Sequence, residues 1–157
     1  MAINISYAAA ASITLTATSL ADGSWRQSDS VDNGTNLYVD ALVGGSVQMA
    51  ASTLNSTVDI YAYGTYDDGT FSGGASGSDG AFTANGNERA FKYLGSVVSG
   101  STSNVDYVWG PFSVAAAFGG TLPEQWGIVY ENNSGASLHA TGTNNEVQYQ
   151  GVEYTTA

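Results

Sequence analysis

His139 is the only histidine in the chain, and proton-transfer chemistry of the serine-hydrolase kind would have to be built around it. Such a relay needs an imidazole beside a nucleophile and an orienting carboxylate. Nothing around Leu138-His139-Ala140 resembles a nucleophile-bearing turn, and the local alternation reads as an ordinary surface or half-buried strand histidine. Cysteine is absent, so carboxylates alone would have to complete a zinc site. Fourteen Asp and Glu permit many acid pairs of the kind that hydrolyse glycosides, but no spacing sets two of them across a cleft. Asp67-Asp68-Gly69 and Ser78-Asp79-Gly80 offer oxygen ligands to calcium without the spaced acids of a hand-type loop, and a solvated turn accounts for each. No catalytic, metal or cofactor residue is expected, and the chain is expected not to be an enzyme.

Binding chemistry has better material. Ten tyrosines and three tryptophans carry apolar ring faces with polar tips, the combination that stacks on sugars. Tyr61, Tyr63 and Tyr66 are the set singled out as glycan-stacking candidates, because the first two share one face of a strand, although cross-strand packing explains them as well. Ala2, Ile3, Ile5 and Tyr7 are the candidates for contact with a partner surface, as apolar residues ahead of the first clear strand. Residues 1–11 are read as an extended N-terminal arm and 12–157 as a single domain.

The elements that must position these residues are strands. Ile13, Leu15 and Ala17 alternate with Thr14, Thr16 and Thr18, which gives one buried face and one hydroxyl face. Leu37, Val39, Ala41 and Val43 alternate next, and Gly44-Gly45 predicts a hairpin into 47–50. Val58, Ile60 and Ala62 oppose Asp59, Tyr61 and Tyr63 before a Gly-, Ser- and Asp-rich loop over 67–80, a composition that predicts no core. Further strands are predicted at 89–94, 105–109, 126–131, 136–140 and 146–154. One short helix is predicted over 113–118, with Ser113 as N-cap and Gly119-Gly120 as the stop. The fold class is all-β, an antiparallel β-sandwich or jelly-roll of roughly eight strands.

Composition narrows the partners. The chain of 157 residues has a net charge of −11 and only three basic residues, Arg26, Arg89 and Lys92, so binding through released counterions has almost nothing to use. Nucleic acid is not an expected partner, and neither is an anionic membrane. Charged residues make up 11% of the chain, against about 25% in ordinary globular proteins. Sheets usually guard their edges with lysine or proline; one lysine and two prolines leave little for that task, so neighbouring subunits are expected to cover the edges.

Asp22-Gly23-Ser24-Trp25-Arg26-Gln27-Ser28, residues 37–45, residues 109–120, Trp126-Gly127-Ile128-Val129 and Tyr149-Gln150-Gly151-Val152 together resemble a group of small tailed-bacteriophage virion structural proteins. The likeness is to capsid decoration, or cement, proteins. It implies a homo-oligomer, with a trimer favoured, that binds the major capsid protein on the outer surface of the virion head and stabilises the expanded shell. The alternative is a carbohydrate-recognition module at the phage tail tip or fibre, or another tail or head-completion protein. None of these roles calls for a cofactor.

Overall fold

The computed structural model describes residues 3–51, 53–67 and 69–156, with Tyr66 described by its backbone alone. The fold is all-β, with two antiparallel sheets and one short helix. The first sheet contains β1 (Ile3–Tyr7), β2 (Ala11–Ile13), β5 (Asp40–Gln48), β10 (Asp106–Ser113) and β12 (Glu146–Thr156). Its order is β1-β12-β5-β10, with β2 alongside β12. The second contains β3 (Ser24–Gln27), β4 (Val31–Asp32), β6 (Thr57–Asp67), β7 (Thr70–Phe71), β8 (Gly80–Phe82), β9 (Lys92–Val98) and β11 (Gln125–Asn133). β6 and β11 form its centre, with β9 and β7 flanking β6, and with β3, β4 and β8 beyond β11.

Alternation explains why the sheets face each other. Ala41, Val43 and Val47 of β5 and Val147 of β12 turn inward from the first sheet. Val58, Ile60 and Ala62 of β6 and Trp126, Ile128 and Tyr130 of β11 turn inward from the second. β6 and β11 are in register with Ile128 opposite Ala62 and Tyr130 opposite Ile60, so their apolar residues share one face. Each such valine or isoleucine contributes roughly 1.5–3 kcal/mol on leaving water, which in a chain without disulfides makes this shared core the main source of stability.

The predicted helix is present as α1 (Val114–Ala117), with the Ser113 hydroxyl accepting the Ala116 N–H at 3.0 Å. Asp40 anchors it from outside: its carboxylate accepts the Ala115 N–H at 2.9 Å and the Ser113 hydroxyl at 2.7 Å.

Five expectations about the strands need correction. β5 runs straight through Gly44-Gly45 without a hairpin. A methyl group at Gly45 would collide with the Glu146 carbonyl and the Trp109 ring, so this glycine allows close approach of strands and not a reversal. Residues 136–140 form no strand; only Leu138 bridges, to Met49. In residues 12–18 the alternation of buried and exposed positions is present, but the ladder ends at Ile13, because Thr16 and Thr14 bond instead to the Asp79 carboxylate and the Asp29 N–H. Among the described residues, twelve strands replace the expected eight or so; β2, β4, β7 and β8 are only two or three residues long, too short for a period to register. Strand 89–94 begins later, at Lys92, after a 3-10 turn over Asn87–Ala90.

The loop after β6 is also more than solvated connection. Phe71, Phe82 and Phe91 fold back over the outer face of the second sheet and pack with Trp25, Tyr61, Tyr63 and Val129 into a second apolar cluster. Gly73, at φ 71°, lies so close to the Phe91 ring that no side chain fits there. Gln27 holds the loop down, donating to Ser76 Oγ and to the Ser78 carbonyl at 2.8 Å while accepting the Ser76 N–H at 3.1 Å.

Candidate functional site

The segment read as an arm contains β1, which is hydrogen-bonded along the C-terminal half of β12: Ile5 faces Tyr154 and Tyr7 faces Val152. Pairing of β12 with β5 ends at Val152, so β1 and the last residues of β12 form a two-stranded ribbon beyond the shared core. Directly opposed residues of an antiparallel pair point to one side. Ile3, Ile5, Tyr7 and Tyr154 therefore lie on one face, and they are 71, 62, 58 and 64% exposed. That face is the outer one, because Val147 and Tyr149, of opposite parity in β12, point into the core. Ala2 lies outside the described residues.

The same outer face continues across the sheet. A shallow groove of about 440 Å³ runs over Gly44, between Leu42, Val108 and Pro111 on one side and Gln148 and Gln150 on the other. Val108 is 80% exposed. The surface is thus a mix of aliphatic side chains and neutral amides, with Glu146 the single acid on the groove wall. Neither Val108 nor Tyr154 was singled out from the sequence. For Tyr154 a signal existed: the apolar set of β12 switches from odd positions, Val147 and Tyr149, to even ones, Val152 and Tyr154, across Gly151.

The three tyrosines proposed for sugar stacking are not a set. Tyr63 is fully buried, its hydroxyl donating to the Ser28 carbonyl at 2.7 Å, and burial pushes its phenol well above the ordinary range. The Tyr66 side chain lies outside the described residues. Tyr61 is half-buried on the outer face of the second sheet, in a row with Trp25 and Tyr93. Its ring stacks on Trp25 at 5.4 Å and 26° and meets Tyr93 edge-on at 5.5 Å. The facing surfaces of Trp25 and Tyr61 are spent on each other, which leaves those surfaces unavailable to a sugar ring. Burial, and then the hydrogen bond that Tyr61 donates to Glu131 at 2.9 Å, raise its phenol as well.

The remaining candidates are engaged locally. His139 Nδ1 accepts the Thr141 N–H at 3.1 Å and lies 3.2 Å from the Asn144 amide, so the ring closes a turn. Asp67 accepts the Thr70 N–H at 3.0 Å in a hairpin turn, while Asp68 lies outside the described residues. Asp79 takes both Arg26 Nε and Nη2 at 2.8 Å and the Thr16 N–H at 3.0 Å. Burial pushes its carboxyl up, but the bonds from Arg26 and Thr16 outweigh that and hold it below the usual aspartate value. Among the described residues, no three His, Asp or Glu side chains converge in a way that could hold a metal ion.

Compared with protein-family models, characterised proteins and solved structures, the chain has no significant match.

Proposed function

We propose that the chain is a non-enzymatic structural protein of a tailed-phage virion, a capsid decoration protein that binds the outer surface of the expanded head. In this reading the two sheets are the layers of a β-sandwich of the jelly-roll kind. The observation that carries it is the outer face of the first sheet, where Ile3, Ile5, Tyr7, Tyr154 and Val108 stay exposed on a chain whose large apolar residues are otherwise mostly packed. Exposed apolar residues on one face, interspersed with neutral amides, suit protein contact. A protein that binds only the expanded lattice stabilises that state by about RT ln(1+[L]/Kd) per site, so many copies of modest affinity suffice. The net charge of −11 suits an exterior position, since it opposes association with nucleic acid. Partners in this reading are the major capsid protein and further copies of the chain.

Copy number and position in purified virions test this, by quantitative mass spectrometry together with cryo-EM density. Hundreds of copies over the shell are expected. A handful at the tail would overturn the decoration role and favour the adsorption module in its place.

A further inference from the structure

We infer that β1 pairs edge to edge with β1 of a second copy, joining the first sheets of two chains into one continuous sheet across a two-fold axis at Ile5. The inference does not depend on the virion reading, and it concerns the purified chain in solution.

It starts from which backbone groups are free. The Ala8 N–H donates to the Gly151 carbonyl at 2.9 Å, and in an antiparallel ladder the residues bonded to a given neighbour alternate. Asn4, Ser6 and Ala8 therefore turn their backbone groups toward β12, while Ile3, Ile5 and Tyr7 turn theirs to the open side, where β1 is the last strand in the sheet.

An open edge is ordinarily guarded. Among the described residues the other outer strands have such guards, β2, β4 and β7 by being only two or three residues long. β10 carries Asp106, a register shift between Trp109 and Phe112, and Pro111, which has no N–H to offer. β9 carries Lys92, and β8 is three residues long. β1 has no charge, no proline and no bulge. Its partner is accordingly sought in another β1, because the guarded edge of β10 opposes a head-to-tail contact.

Self-pairing also satisfies charge. Two chains of −11 repel each other over most of their surfaces, yet residues 3–21 contain no charged side chain. The nearest acid, Glu153, sits opposite Ser6 on the far side of β1. Across the proposed contact the two Glu153 backbones are three strand spacings apart, about 14 Å, beyond the Debye length of roughly 8 Å at physiological salt.

The sequence of β1 suits the symmetry. With Ile5 opposite Ile5 of the second copy, Ile3 falls opposite Tyr7 in both directions, all on bonded positions, which gives about six main-chain hydrogen bonds. Every cross-strand neighbour on the outer face is then aliphatic or aromatic. The apolar strip doubles in length, with a Tyr154 at either side. Three bonded positions per strand bury less than the roughly 1,200 Å² of a standard stable interface, so the free dimer is weak, with Kd on the order of 10⁻⁵ to 10⁻⁴ M. A two-fold contact closes on two copies, in contrast to the trimer implied by the resemblance.

Sedimentation equilibrium of the full chain across concentrations reads the association directly. Ile5→Pro removes a donor that points to the open side and costs no bond to β12; it is expected to weaken association at least about tenfold while circular dichroism and thermal unfolding stay native. Because the chain has no cysteine, Ile5→Cys is a second, independent readout. The opposed Cα atoms at about 5.5 Å permit a disulfide, so oxidised glutathione should trap a covalent dimer, while Val108→Cys, on the guarded edge, should remain mostly monomeric. A wild-type chain that stays monomeric up to about 1 mM, association untouched by Ile5→Pro, or equal trapping at both cysteines overturns the inference.

Discussion

The Trp109 indole N–H donates to the Tyr130 hydroxyl at 3.1 Å, and this buried bond joins the two sheets. Trp109 belongs to β10 in the first sheet and Tyr130 to β11 in the second. Their rings meet edge-on at 6.0 Å and 77°, so the polar contact and the ring packing fix one spacing together. Burial pushes the Tyr130 phenol far up, against a smaller opposing effect of the Trp109 bond, which keeps it neutral and able to accept.

Replacing Tyr130 by Phe keeps the ring and strands the indole donor in the core. The expected cost is about 1–3 kcal/mol, seen as a lower urea midpoint with an unchanged slope. An unchanged midpoint would show that the bond contributes nothing net.

The Arg26–Asp79 pair predicts a pH dependence with a definite sign. The native carboxyl titrates below the ordinary 3.8, so its contribution is complete above that value and is lost as the pH falls through the lower native one. The side chains are 23 and 14% exposed, so solvent screening reduces the effect without abolishing it. Asp79→Asn should cost about 1–2 kcal/mol at neutral pH and flatten the acid limb of stability. Urea midpoints measured from about pH 6 down to about pH 2 check this; parallel acid limbs in variant and wild type would count against it.

The second apolar cluster predicts that the glycine-rich loop is a stabilising element. Phe91 is 6% exposed and contacts Trp25 and Phe82. Phe91→Ala should cost about 3 kcal/mol and bring new protease cleavage within residues 72–90, mapped by mass spectrometry. Cleavage elsewhere, with the loop intact, would mean that the cluster is not what holds it.

The sequence by itself determined what is local. Period-two alternation is a property of one strand, so the inward positions of Ala41 and Val43 in β5 and of Val58, Ile60 and Ala62 in β6 were legible, as was the N-cap at Ser113. Alternation persisted in the burial of Ile13, Leu15 and Ala17 even where no ladder formed, because burial needs only one apolar side while a ladder needs a partner strand. Tertiary structure decided the pairings. Gly44-Gly45 has the composition of a turn, and only the approach of Glu146 and Trp109 makes it a close contact inside a straight strand. Phe71, Phe82 and Phe91 are scattered through polar sequence, and they became core because the outer face of β6 and β11 left Tyr61, Tyr63 and Val129 to be covered. The same holds for the candidate surface: Ile3, Ile5 and Tyr7 were visible as apolar residues, but their alignment with Tyr154 required the two ends of the chain to meet. Which strands pair is a choice among distant faces, settled by the burial of whole sheets and not by the residues of any one segment.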